Sequence, residues 1–211
     1  MFDRTPDENP HSKFRPLAKL SFGPAPNRRI YQQITLCTPF VIFLWIVHPP
    51  YLMALITALL HTQNDALRLG RCLETLYPCD EVLIVDHDSR DQTLRVAREY
   101  GAKVVAAQAP VSSEKYFANS PTNWLLCLDP RESLTEALAA SLFEWKSESL
   151  IPAAVPLAFF LREETASGWI GHPSPQTRLV PAGWPRWNGR LPVSEPPALT
   201  LQGEILRFTL P

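Results

Sequence analysis

The chain has 211 residues, 45% of them hydrophobic, and a formal net charge of −1. That length accommodates one sizeable core with extensions and leaves two full domains crowded. Charge is uneven: residues 1–52 hold 6 Lys/Arg against 3 Asp/Glu, so residues 53–211 are mildly acidic and lack the basic footprint of a nucleic-acid binder.

Four cysteines (Cys37, Cys72, Cys79 and Cys127) show neither CxxC nor Cys/His metal spacing and are too few for a disulfide framework. Reduced thiols in a cytoplasmic protein are the simpler reading. Of the 22 prolines, 8 fall in residues 1–52, 4 in residues 53–150 and 10 in residues 151–211, which marks the middle third as the regular part of the fold.

Between Gln33 and His61 no residue bears a formal charge apart from the titratable His48, yet the apolar run Ile34 to Val47 contains Pro39 and stops at His48-Pro49-Pro50. A membrane span needs roughly 20 apolar residues. Residues 1–52 therefore read as a weakly ordered or non-native extension, with a membrane-peripheral segment as the alternative, and the functional domain is expected over residues 53–211.

Ala54 to Leu60 is a continuous apolar run of strand length that ends in His61-Thr62-Gln63-Asn64, as a buried parallel strand does before a helix cap. Leu69, Cys72, Leu73 and Leu76 then follow helical spacing up to Pro78. Glu81 to Val85 is a second strand, Asp91 to Tyr100 a second helix closed by Gly101, and Lys103 to Ala107 a third strand. Trp124 to Leu128 is another buried strand, and Ser133-Leu134-Thr135-Glu136 reads as a capping box opening a helix through Trp145. After Leu150 the pattern weakens, with strands expected at Ala153–Phe160, Thr177–Val180 and Leu199–Phe208. The alternation predicts an α/β fold: a mostly parallel sheet with helices on both faces and an irregular C-terminal third.

Three apolar strands end in polar clusters: Thr62-Gln63-Asn64-Asp65, Asp86-His87-Asp88-Ser89-Arg90-Asp91 and Asp129-Pro130-Arg131-Glu132. In a parallel sheet these ends share one edge, where α/β proteins bind ligands. Asp and Asn side chains suit a base and ribose, while a diphosphate needs positive charge from a metal on carboxylates or from Arg and Lys.

The order TQND, EVLIVDHDSRDQT, REYGAKVV and NWLLCLDPRE resembles family-two glycosyltransferases of the GT-A (Rossmann-like) fold. PSPQTRLV followed by Trp187-Asn188-Gly189 is similar to the lipopolysaccharide-core glucosyltransferase-like branch. The resemblance spans about Ala54 to Phe208. It implies transfer of a sugar, with inversion, from a nucleotide-diphosphate donor, most simply a uridine one. The acceptor it implies is a hydroxyl of a cell-envelope glycan or lipid-linked saccharide.

Carried over by position, the resemblance puts Asp86 on the base and Thr62, Asn64 and Asp65 beside the nucleotide. Ser89 and Asp91 match the turn that shapes the site, Lys115 matches a lysine preceding the D-x-D strand, and Arg178 matches the arginine of the R-L-F segment. Asp129 matches the first acid of the metal-binding D-x-D, where a Mg or Mn ion is implied, and Glu195 matches a late acid placed to act as general base. The second D-x-D acid is Arg131 here, and the histidine before the late acid is Ser194. A guanidinium repels a cation, so the expectation is a metal-poor site in which Arg131 itself neutralises the diphosphate. The alternative is a catalytically impaired nucleotide-sugar-binding or scaffold protein of the same fold. His61, His87 and His172 read as loop polarity, and Trp169, Trp184 and Trp187 as packing beneath loops.

Overall fold

A computed structural model describes residues 54–109, 113–117, 122–147, 155–194 and 198–209. The expected extension over residues 1–52 and the expected base Glu195 lie outside the described residues.

In chain order the elements are β1 (Ile56–Thr62), α1 (Ala66–Glu74), β2 (Glu81–Asp86), α2 (Thr93–Glu99), β3 (Lys103–Ala106), α3 (Glu114–Phe117), β4 (Trp124–Leu128) and β5 (Glu132–Leu134). They continue as α4 (Glu136–Ser147), β6 (Leu157–Thr165), β7 (Gly168–Gly171), β8 (Gln176–Pro181), β9 (Trp187–Asn188), β10 (Leu191–Pro192) and β11 (Leu199–Arg207).

One sheet runs in the order β3-β2-β1-β4-β8-β6-β11-β5, with β7 added on β6. The first four strands pair in parallel; β1 and β4 are buried along their whole length, as their continuous apolar runs require, while β3 is an exposed edge. From β4 onward the sheet is mixed: β8 lies antiparallel between β4 and β6, β11 parallel to β6, and β5 antiparallel to β11. The last third is thus more regular than its prolines suggest. The described prolines stand outside the ladders or at strand ends, as at Pro181, and leave the interior amides of β6, β8 and β11 free to pair.

Alternation along β1, β2 and β4 divides the core. Ala58, Leu60, Ile84, Leu126 and Leu128 point to the face covered by α1, α2 and α4 through Leu69, Cys72, Ala97, Leu138 and Leu142. Leu59, Leu83, Val85, Leu125 and Cys127 point to the opposite face, which Tyr116 of the four-residue α3 and Trp184, Trp187 and Leu191 around the β9–β10 hairpin cover. Among the described residues the helical cover is therefore lopsided, and the second face is closed mainly by an irregular segment. Two of the loop tryptophans do pack there, as their setting in the sequence implied.

The expected capping box is shifted. Ser133 lies in β5, and the cap is Thr135, whose Oγ1 accepts the Leu138 amide. Thr135 also bonds the Glu204 backbone in both directions and so ties α4 to β11. There Gly203 has φ +99°, and a Cβ at that position would sit 2.3 Å from the Leu138 backbone nitrogen. Only glycine permits this approach.

Candidate functional site

The parallel half places the ends of β1, β2 and β4 on one edge, and the two loops beyond β1 and β2 are stitched together by side chains. Asn64, at φ +58°, donates its amide to Ser89 Oγ and accepts the Arg90 amide on Oδ1. Asp91 accepts the Ala66 amide at the start of α1 and the Thr93 amide at the start of α2, so one carboxylate caps two helices. Asp65, which stands at the cap position of α1, instead accepts the Gln63 amide, and its own amide donates to Thr93 Oγ1. Asp86, 9% exposed, accepts the Ser89 amide at 3.1 Å and the Thr62 hydroxyl at 3.4 Å.

A cleft of about 300 Å³ opens beside this frame, lined by His61, Gln63, Asp65, Arg68, Asp129, Pro130, Arg131, Arg190 and Thr209. Of the sequence-expected site residues it gathers Asp65, Asp129 and Arg131. Thr62, Asn64, Asp86, Ser89 and Asp91 build the adjoining loops rather than the cleft wall. Lys115 lies on α3, donates to the Gln108 carbonyl and sits 5.1 Å from the Tyr116 ring centre. Arg178 is 1% exposed and beneath the β4–β5 turn, where its Nη2 meets Glu132 Oε1 at 2.9 Å and Gln176 Oε1 at 2.9 Å.

Glu132 organises that turn. It is fully buried, takes Arg178 and Arg207 on Oε1, and accepts the Asp129 amide on Oε2 at 2.9 Å. Asp129 in turn accepts Arg131 Nε at 2.9 Å and Arg131 Nη2 at 3.3 Å, a two-point guanidinium pair across the turn. Burial alone would raise the Asp129 carboxyl, but the bonds and charge of Arg131, with Arg207 behind, hold it below the usual carboxylate range.

The Asp129 oxygens are thus committed to a guanidinium, and the position of the second expected metal acid is that guanidinium. Among the described residues no group of three or more His, Cys, Asp or Glu side chains is placed to hold a metal ion. A resident divalent cation does not fit this donor set.

The cleft instead presents three guanidiniums, of Arg68, Arg131 and Arg190, against two carboxylates. Arg68 Nη1 lies 3.9 Å from Asp65 Oδ1, while its Nε is buried with no hydrogen-bond partner among the described residues. An unmet buried donor beside surplus positive charge suits an anionic ligand.

Sequence reasoning missed His61, Arg68, Arg190 and Thr209. His61 carried a signal in its parity: two residues after Leu59, it faces the same side of β1 as the second core. It is 6% exposed, with Nδ1 3.0 Å from His87 Nε2 and Nε2 3.1 Å from Ser113 Oγ. Burial, helped by the charges of Arg190, His87 and Lys115, lowers its pKa from 6.5 to about 4.

This shift sets a pH dependence. Between pH 6.5 and about 4 the unfolded imidazole takes up a proton that the folded ring refuses, so stability is complete above pH 6.5 and drains away as pH falls toward 4. With partial solvent screening the loss is about 2 kcal/mol. Urea unfolding between pH 7.5 and 4 should show this slope in the wild type and a flatter one in His61→Gln.

No family model matches the chain. A protein of Rickettsia felis named as an uncharacterized glycosyltransferase is 34% identical over 90 residues, which is 41% of this chain and 32% of that protein. A TPR repeat-containing protein of Synechococcus elongatus is 32% identical over 133 residues, 60% of this chain and 31% of that protein. The chain spans about a third of the length of the curated relatives it matches. Among solved structures, glucosyl-3-phosphoglycerate synthase of Mycobacterium tuberculosis, in complex with Mn2+, UDP and glucosyl-3-phosphoglycerate, superposes with a TM-score of 0.38. It shares 17% identity over 52% of this chain and 43% of that one. Residues 1–349 of Staphylococcus aureus TarS give a TM-score of 0.39 and 18% identity over 57% of this chain and 38% of that one.

Proposed function

We propose that the chain is a glycosyltransferase of GT-A type that binds a nucleoside-diphosphate sugar, most simply a uridine one, in the guanidinium-lined cleft and transfers the sugar to an acceptor hydroxyl. The observation that carries this reading is the cleft itself. It lies at the carboxyl ends of parallel strands, with Arg68, Arg131 and Arg190 around it and a buried Arg68 Nε left unpaired. Glycosyltransferase relatives over two fifths of the chain support the same class.

When the bond from the anomeric carbon to the diphosphate breaks, negative charge grows on the leaving oxygen. Preorganised guanidiniums act on that charge, and this is the larger electrostatic part of the task. Arg131 stands where the family places a metal-binding acid, so the neutralising charge comes from the chain rather than from a cation. Inversion by direct displacement, Glu195 as the base that deprotonates the acceptor, and an envelope glycan or lipid-linked acceptor extend the reading through the sequence resemblance. So does a cytoplasmic location, in keeping with the free thiols of Cys72, Cys79 and Cys127. Among the described residues no helix is long and apolar enough to cross a membrane.

One observation favours a second reading. With both Asp129 oxygens on Arg131, the turn has the closed pairing of a structural element, as a binding or scaffold protein descended from such an enzyme would have. A panel of nucleoside-diphosphate sugars separates the two, scored for binding and for hydrolysis or transfer in EDTA and in Mn2+. Turnover in EDTA is the expected result. Binding without turnover on every acceptor supports the scaffold, and no binding of any donor contradicts both.

A further inference from the structure

Arg190 reaches the cleft from the turn between β9 and β10, a two-stranded ribbon of two residue pairs that is separate from the main sheet. Ribbons of that size hold their shape poorly on their own. Trp184, Trp187 and Leu191 anchor it by packing, but packing against a flat core face does not set the height or angle of a turn. At the turn itself, Ser113 Oγ meets the Arg190 carbonyl at 2.9 Å, across 77 residues of sequence.

That single contact determines the protons of Ser113 and of two further groups. A carbonyl only accepts, so the Ser113 hydroxyl spends its proton on Arg190 and must accept at its 3.1 Å contact with His61 Nε2. His61 therefore carries its proton on Nε2. In the neutral ring Nδ1 is then a lone pair, and its 3.0 Å contact with His87 Nε2 requires His87 to donate. The result is a one-way chain: His87 Nε2–H to His61, His61 Nε2–H to Ser113, Ser113 O–H to the Arg190 carbonyl.

We propose that His87, His61 and Ser113 are positioning residues that set the Arg190 guanidinium against the bound diphosphate. This rests on the reading of the cleft as a nucleoside-diphosphate site. His61 and Ser113 act through Arg190, and their contribution to binding vanishes when Arg190 is removed. The chain also has a defined proton tolerance. One proton added to the histidine pair leaves a donor facing an acceptor at the 3.0 Å contact, whereas a second places two N–H groups face to face and opens it. The charges facing the pair are Arg190 on the hairpin, Lys115 on α3, and Asp86 and Asp88 beside His87.

Two measurements test this. The first uses the ligand-free protein. Nitrogen-15 histidine spectra at pH 7.5 should show both His61 and His87 protonated on Nε2, and Ser113→Ala should mix the His61 tautomers. An Nδ1–H tautomer on His61 in the wild type, or one unchanged by Ser113→Ala, overturns the chain. The second is a cycle of UDP affinities. Ser113→Ala is expected to weaken binding about five-fold, as one hydrogen bond is worth, with Ser113→Thr restoring it. Arg190→Ala should weaken binding about twenty-fold, the value of a charge-assisted contact, and the double variant should match Arg190→Ala alone. Multiplying effects, or wild-type affinity in Ser113→Ala, overturn the proposal. If wild-type protein binds no UDP, the reading of the cleft fails on that ground alone, and the tautomers still decide the hydrogen-bond chain.

Discussion

Glu132→Ala is expected to lower the unfolding free energy by about 3 to 5 kcal/mol, the cost of removing one partner from a buried ion pair. Glu132 is the sole carboxylate in contact with Arg178 among the described residues, and it takes Arg207 on the same oxygen. Arg178 is 1% exposed and already has Nη1 buried without a partner, so among the described residues its charge could neither reach water nor find another acid. For a chain of this length the loss is about 10 °C in melting temperature, since each kcal/mol moves it by roughly 2 to 4 °C. Arg162→Ala gives the contrast: its bond to Glu204 is half-exposed, and removing it should change stability by no more than about 0.5 kcal/mol. Urea unfolding of both variants checks the pair. A Glu132 variant within 1 kcal/mol of wild type would show that Arg178 relaxes to solvent and that the turn is not built on this triad.

Arg131→Ala is expected to weaken nucleoside-diphosphate binding by about 10 to 100-fold, with little change in stability. Two effects add. The substitution removes a guanidinium worth about 1.5 to 3 kcal/mol to a charged acceptor, and it uncovers Asp129, whose carboxylate then faces the diphosphate. The companion variant reverses the chemistry: Arg131→Asp rebuilds an acid pair across Pro130 and should make binding depend on Mn2+, because two carboxylates at that spacing supply oxygen ligands that a guanidinium denies. Calorimetric titration of both variants with UDP, with and without Mn2+, reads the two outcomes. Equal affinity of wild type and Arg131→Ala in EDTA would remove Arg131 from the binding reading.

How much of this was legible depended on the range of the interactions. β1, β2 and β4 announced themselves because strands buried on both faces must be continuously apolar, and their ends placed the polar clusters on one edge. β5 was hidden, since a three-residue strand inside DPRESLTE also satisfies the pattern of a capping box. The structure settles that ambiguity through β11, whose Leu206, 73 residues away, pairs with Ser133 and leaves the cap to Thr135.

The loop braces follow the same logic. Asp91 reads as an ordinary cap for its own helix, and nothing local shows that its second oxygen caps α1 as well. His61 was hidden by its neighbours: a histidine before Thr62-Gln63-Asn64 looks like loop polarity, although it is still inside β1 and faces the second core. Arg190 and Thr209 reach the cleft from the β9–β10 turn and from the residues after β11, positions that no periodicity connects to β1. Arg178 was singled out by resemblance, and its burial on Glu132 could not be read from PSPQTRLV, because the partner lies 46 residues earlier.

Titrating the wild-type chain with UDP in the presence of EDTA bears most directly on the proposal that the cleft binds a diphosphate with guanidiniums alone. Saturable binding is expected, with an affinity that is unchanged by Mn2+ and falls as salt rises, since the proposed contacts are between opposite charges. Binding that disappears in EDTA and returns with Mn2+ would contradict it.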